Sequence, residues 1–275
     1  MNRLTLTFCV AVLTGALTFA QTIDYSGPVS AALGFTKVFD NSSMSGLNNV
    51  ANLASFEHYA VGAAYQMRFN MDEMSARAAT LVAPTRLGTF GGVIFQSGYS
   101  KSNYSRYAFS YSRLFGEKVS AGLQFNYLTH QIEGADPANS FYTSLGFNFL
   151  ISEQWAVGVF IQNPEQSQLS YQSTSYVIPV LFNAGCRWRP TSHFMLIVET
   201  EKQLERNLIY KTGIQFSFNE RLFVRGGIKS NPVEMTFGGG VRFAGLFIDA
   251  GFAHHQQLGM TSGVGLSYSF NRKHR

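Results

Sequence analysis

A chain of 275 residues with only 13% charged and 15% aromatic side chains is too poor in charge for an ordinary soluble domain, where about a quarter of residues are charged. No internal run reaches the roughly 18 apolar residues that a membrane-spanning helix needs, so a helical membrane protein is excluded as well. The formal charge of +5 draws on Arg3 and on Arg272, Lys273 and Arg275, and no dense basic patch with interleaved aromatics remains to hold a nucleic acid.

The chain opens with Asn2 and Arg3, an apolar run from Leu4 to Phe19, and a small-x-small site at Thr18-Phe19-Ala20. That order predicts a signal peptide over 1–20, cleaved ahead of Gln21. Cys9 falls inside it, which leaves Cys186 alone and rules out an intramolecular disulfide in the processed chain. Residues 21–57 show no clean alternation. Ser30 to Gly34, Asp40 to Ser43 and Leu47 to Ala54 read as helix-like and turn-like pieces. The stretch is long for a lead-in and predicts a plug within or beneath the fold that follows; a disordered leader is the alternative.

From residue 58 onward the period is two, which places successive side chains on opposite faces of a strand. Val119, Ala121, Leu123, Phe125 and Tyr127 share one face, against Ser120, Gly122, Gln124 and Asn126. About 14 such segments follow one another, each near the 9–11 residues of a tilted membrane strand. They span 58–69, 75–83, 88–99, 104–115, 118–130, 140–151, 155–163, 175–189, 193–202, 206–218, 221–229, 233–243, 245–254 and 261–270. Tight turns at 116–118, 152–154, 190–192, 219–221 and 244–245 alternate with longer connections around 130–139 and 163–174. The pattern predicts an all-β, about 14-stranded antiparallel transmembrane barrel over 58–270 in a Gram-negative outer membrane, with both termini periplasmic and a basic tail over 271–275.

Charges settle which lane meets lipid. Arg68, Arg187, Glu199, Glu201, Lys211, Arg225, Lys229, Glu234, Arg242 and Asp249 fall on the small or polar lanes. Arg or Lys at the bilayer midplane costs about 2–4 kcal/mol, so these lanes are predicted to face the lumen. A soluble sandwich would present Lys and Glu outward, whereas here the polar lanes are mostly Gly, Ser, Asn and Gln. Glu199 and Glu201 share one lane; pairing with Arg187 or Lys211 is the favoured reading and a cation or proton site the other. Cys186 lies on the apolar lane with Trp188, and Trp155 and Trp188 suit an interfacial girdle. No Gly-x-Ser-x-Gly elbow accompanies His58, His130, His193, His254, His255 or His274, so no catalytic residue, metal or cofactor is predicted. Adjacent histidines such as His254 and His255, placed in a loop, would chelate poorly. Asn163-Pro164 and Asn231-Pro232 read as loop punctuation.

The Ala32-Leu33-Gly34-Phe35 segment, Asp40, and Asn48-Asn49-Val50-Ala51-Asn52-Leu53-Ala54 before the first strand resemble the N-terminal region of FadL-superfamily barrels. Asn49, Ala51 and Leu53 match that superfamily's Asn-Pro-Ala-Gly-Leu hatch motif, with Val50 and Asn52 in place of its Pro and Gly. Arg225-Gly226-Gly227-Ile228, Asn231-Pro232, and His254 to Gly259 resemble PorV/PorQ-like members, and Phe270 resembles the terminal aromatic read by the barrel assembly machinery. The resemblance implies a 14-stranded barrel in outer-membrane lipid that passes hydrophobic or amphipathic small molecules past a hatch. Its PorV/PorQ branch implies instead an accessory barrel that binds protein partners in type IX secretion.

Overall fold

Side chains that alternate between apolar and small or polar need a surface with two different sides, and a closed sheet supplies one without leaving an unpaired edge. A computed structural model describes residues 25–171, 175–204 and 206–270; the predicted signal peptide over 1–20, with Cys9, and the tail over 271–275 lie outside the described residues. The strands are β1 (Ala60–Arg68), β2 (Met71–Thr85), β3 (Gly88–Tyr99), β4 (Ser102–Phe115), β5 (Val119–Ile132), β6 (Ala138–Leu150), β7 (Trp155–Gln162), β8 (Gln168–Ser170), β9 (Ser175–Val177), β10 (Leu181–Thr191), β11 (Phe194–Gln203), β12 (Ile209–Phe218), β13 (Leu222–Lys229), β14 (Glu234–Phe243), β15 (Leu246–His255) and β16 (Gly259–Ser269). All but β8 and β9 form one closed antiparallel barrel of 14 strands. β1 closes it on β16, in register from Ala60↔Ser269 to Met67↔Ser262.

The two faces are the reverse of a water-soluble sandwich. Phe125 is 56% exposed on the outside, while Gln124 and Asn126, its neighbours along β5, are 2% and 1% exposed within. Trp155 and Trp188 stack at 5.7 Å on the outer wall, on the same lane as half-buried Cys186. Against expectation, Arg77 of β2 and Arg113 of β4 lie on the outer lanes, Arg113 close to the short-turn end of its strand. The inner lanes also carry large apolar groups, among them Phe95, Leu128, Phe160 and Ile197.

The predicted eighth strand, 175–189, is two pieces. Pro179 lacks the N–H a ladder needs, so Ser175–Val177 folds back on β8 as a hairpin and the wall strand starts only at Leu181. The turn expected at 190–192 lies instead at Ser192-His193, because β10 runs through Pro190 with a register shift between Trp188 and Thr191. His254 and His255 stand in β15, not in a loop, opposite Met260 and Gly259. They point to opposite faces, and His255 accepts the Gln257 and Leu258 N–H groups.

Connections at one end of the barrel are uniformly short. The other end has one long loop, 163–180, carrying β8 and β9. β1 begins and β16 ends at the short-turn end. Between the walls runs the N-terminal segment: helix α1 (Gly27–Ala32) lies against β1 and β13 to β16, the 3-10 turn Ser43–Leu47 against β1 to β3, and the 3-10 turn Val50–Ser55 against β3 to β6.

Candidate functional site

A non-strand segment inside a barrel must find its hydrogen bonds on side chains, since the wall's own backbone groups are spent on the ladder. Its course also needs room. Leu33 and Gly34 lie directly on the wall: a Cβ on Gly213 would come within 2.6 Å of the Leu33 carbonyl oxygen, and one on Gly227 within 2.6 Å of its carbonyl carbon. Gly34 itself takes φ +71°, and a side chain there would press on the Thr212 carbonyl at 2.6 Å. Thr236 then clasps this turn, accepting from Gly34 N at 2.9 Å and donating to the Ala32 carbonyl at 3.1 Å.

The next residues meet the most heavily charged part of the wall. Glu199 Oε2 accepts from the backbone N–H groups of Lys37 (2.7 Å) and Val38 (2.9 Å), and Glu199 Oε1 faces Lys211 Nζ at 3.5 Å. Lys211 Nζ also binds Glu201 Oε2 at 2.8 Å and donates to the Phe35 carbonyl at 2.9 Å. Lys37 Nζ reaches Glu201 from the segment side at 3.5 Å. The Asn183 carboxamide lies between both carboxylates and donates to them, at 2.9 Å from Glu199 and 3.0 Å from Glu201. Among the described residues the network brings together two cations and two anions, all four buried. Such a network is tolerable only because each charge has a partner.

Asparagines hold the rest of the segment. Asn49 Oδ1 caps the Val50–Ser55 turn through Ala51 N at 3.1 Å, while Asn49 Nδ2 donates to the Val38 carbonyl (3.1 Å) and Asn148 Oδ1 (2.8 Å). Asn148 Nδ2 donates in turn to Asn52 Oδ1 at 2.8 Å. Ser112 Oγ reaches the Val50 carbonyl at 2.6 Å and Gln124 Nε2 the Gly46 carbonyl at 2.8 Å. Asp40 accepts from Ser42 N and Asn48 Nδ2, both at 2.8 Å; burial nonetheless pushes its carboxyl above the usual carboxylate range.

Below the segment, at the short-turn end, a cavity of about 490 Å³ opens between it and β10 to β16. Val29, Leu33, Phe39, Met195, Phe223 and Phe247 give it apolar surface, and Arg189, Arg225 and Arg242 bring guanidinium groups to it. Arg225 is held by Asp249 at 2.6 Å and Gln215 at 2.7 Å, whereas Arg189 forms no salt bridge among the described residues. At the other end the long loop turns inward, burying Leu169 and Ile178 against Leu128, Ala138 and Tyr142. Asn163 anchors it, donating to the Ile178 carbonyl at 2.7 Å, and Tyr171 hydrogen-bonds His130, which stacks on Tyr104 at 3.7 Å. Burial and the nearby Tyr104 push the Tyr171 phenol up to about 12.

The predicted lumen charges thus divide. Glu199, Glu201 and Lys211 meet in one network; Arg225 with Asp249, and Lys229 with Glu234 at 2.7 Å, form separate pairs. Arg187, expected beside the glutamates, pairs across strands with Ile197 instead and covers the Phe39 ring at 5.3 Å. Arg242 lies over Phe247 at the short-turn rim, and Arg68 over Phe69 at the opposite end. Of the hatch-motif residues, Asn49 is the hydrogen-bonding hub, while Ala51 and Leu53 are buried. Sequence reasoning missed Lys37, Asn148, Asn183 and Thr236; the last three stand at inward positions of β6, β10 and β14, and that alternation was the one signal that could have found them. Among the described residues no three His, Cys, Asp or Glu side chains gather to hold a metal.

No family model and no curated protein matches the chain. Solved structures do. The deltaS2S3 mutant of the monoaromatic hydrocarbon channel TodX aligns at a TM-score of 0.71 and 12% identity, over 90% of this chain and 99% of that one. The Ralstonia pickettii toluene transporter TbuX aligns at 0.66 and 12%, over 89% and 98%. A Pseudomonas aeruginosa FadL homologue aligns at 0.65 and 9%, over 90% and 98%. At such identities the likeness is one of fold: this chain is built as those FadL-family barrels are.

Proposed function

We infer that the protein is an outer-membrane channel for hydrophobic or amphipathic small molecules, with residues 25–57 as its hatch and both termini on the periplasmic side. The observation that carries this reading is a lumen filled by a segment held on side chains, above a cavity that mixes aromatic and guanidinium surface. A filled lumen speaks against an open aqueous pore. The apolar outer belt supports residence in a bilayer, and the start of β1 and end of β16 at the short-turn end support the orientation. Passage of aromatic hydrocarbons is what the names of two similar structures state for those proteins, and it is the first cargo class to try.

The accessory-barrel alternative draws no comparable support. The residues behind it serve the barrel itself: Arg225 binds Asp249, and Asn231, in the β13–β14 turn, donates to the Leu208 carbonyl just before β12. The test is uptake of a radiolabelled alkylbenzene by intact Gram-negative cells with and without the chain, together with planar-bilayer conductance of the wild type and of a deletion of 27–55. Faster uptake, and conductance rising on deletion, are expected. Uptake equal to that of cells lacking the chain, with conductance unmoved by the deletion, would refute the proposal.

A further inference from the structure

The outer wall carries a feature that passage through the lumen does not use. On β2 to β6 the outward side chains Leu81, Ile94, Phe109, Phe125, Tyr127 and Phe141 border an apolar cleft of about 570 Å³. Ala79 and Gly92 open its floor. A Cβ on Gly92 would meet only the Leu81 Cβ, at 3.8 Å, so the hollow comes from a missing side chain and not from backbone that needs glycine.

Directly above the cleft the same lanes turn polar in one row. Arg77 precedes Ala79 by two residues along β2, Gln96 follows Ile94 along β3, and Ser105 precedes Tyr107 on β4. These three are neighbours in register, as Arg77↔Gln96 and Gln96↔Ser105. Two residues of strand rise only about 6.6 Å, so the row borders the cleft directly. Tyr65, paired with Arg77 across β1, adds a phenol to the row.

Arg77 is exposed on this outward lane and forms no salt bridge among the described residues. The acid on the far side of the cleft, Glu165, is engaged by the Thr143 backbone N–H and hydroxyl, four strands from Arg77. That is roughly 19 Å along the sheet at the usual strand spacing. A guanidinium at the edge of an apolar belt, over an open acyl-sized hollow, is complementary to one kind of molecule.

We propose that this face binds a phosphate-bearing lipid of the leaflet at the long-loop end, with its phosphate on Arg77, Gln96 and Tyr65 and an acyl chain across Ala79 and Gly92. The fork of donors on Arg77 suits a phosphate, and the cleft would be left poorly filled by bulk lipid whose head group cannot anchor it. The inference rests on the barrel standing in a bilayer and is independent of what the lumen passes.

The test uses the full chain refolded in detergent, its barrel state checked by heat-modifiable gel mobility, with bis-phosphorylated lipid A as the probe in native mass spectrometry. R77Q and G92F, which alter outward side chains only, should each weaken binding about tenfold, and dephosphorylated lipid A should bind the wild type as poorly. R113Q, an outward arginine near the short-turn end, should bind as wild type does. Equal binding by wild type, R77Q and G92F would overturn the proposal. Loss in G92F without loss in R77Q would overturn the phosphate contact, and loss in R113Q as large as in R77Q would reduce it to general charge attraction.

Discussion

Replacing Glu199 by alanine should release the N-terminal segment while leaving the barrel closed. The carboxylate accepts two segment amides at 2.7 and 2.9 Å and faces Lys211 at 3.5 Å. Without it Lys211 loses one of its two carboxylate partners, and the Lys37 and Val38 amides lose their acceptor. Removing one member of a buried charge network costs about 3–5 kcal/mol, a figure that already includes much of the cost of stranding its partners. At 1.4 kcal/mol per factor of ten, even the lower value raises the released population about a hundredfold. Hydrogen exchange in micelles reads this residue by residue. The decisive amide is that of Asn49, which bonds the Lys37 carbonyl at 3.2 Å, a bond the substitution does not touch directly. It should exchange about a hundred times faster in E199A, and the double variant E199A/K211A, which rebalances charge, should recover part of the protection. Asn49 exchange within about twofold of wild type would refute the view that Glu199 holds the segment.

Three further outcomes follow from the same geometry. Gly213→Val drives a side chain into the Leu33 backbone, where even a Cβ lies 2.6 Å from the carbonyl oxygen; bilayer conductance should rise while heat-modifiable mobility stays that of the closed barrel. Thr236→Val strands Gly34 N and the Ala32 carbonyl and should cost about 1–3 kcal/mol, read as faster exchange at Gly34 but a smaller effect at Asn49 than E199A gives. Burial raises the Asp40 carboxyl above its ordinary 3.8, so the stability it contributes is complete below that value and is lost as pH rises through the raised one. Exchange at Asn48, whose N–H bonds the Ser45 carbonyl, should therefore accelerate more in wild type than in D40N as the pH goes from about 4 to neutrality; parallel pH profiles would remove Asp40 from the account.

Why the wall was legible and the loop was not has one cause. Each wall strand is held by two neighbours and divides two media, so its side chains repeat with period two and the repeat survives in the sequence. β8 and β9 have three residues each and pair only with each other; what places them is Leu169 and Ile178 packing on Leu128 and Tyr142, contacts with no period. The run 175–189 therefore read as one strand, although Pro179 already marked the break. Arg77 departs from the rule for charged side chains for a related reason: an arginine at the border of the apolar belt costs about 0–1 kcal/mol, too little to forbid it from the outer lane.

The lumen separates the two kinds of information further. Glu199 finds Lys211 because the two are register partners on β11 and β12, and register follows from alternation. Lys37 and the amides of Lys37 and Val38 come from a segment more than a hundred residues away in the chain, without periodicity to report its path. Yet the physical demand was present from the start. A segment that crosses a barrel without joining its ladder needs acceptors and donors from inner lanes, and the polar residues there are placed at its backbone: Glu199, Thr236, Ser112 and Gln124 each bond a main-chain group. Inner-lane polarity in this barrel accordingly serves the segment as well as any solvent or cargo. A charge on such a lane is evidence for passage only when, like Arg189 on the wall of the short-turn cavity, its side chain bonds no main-chain group of the segment among the described residues.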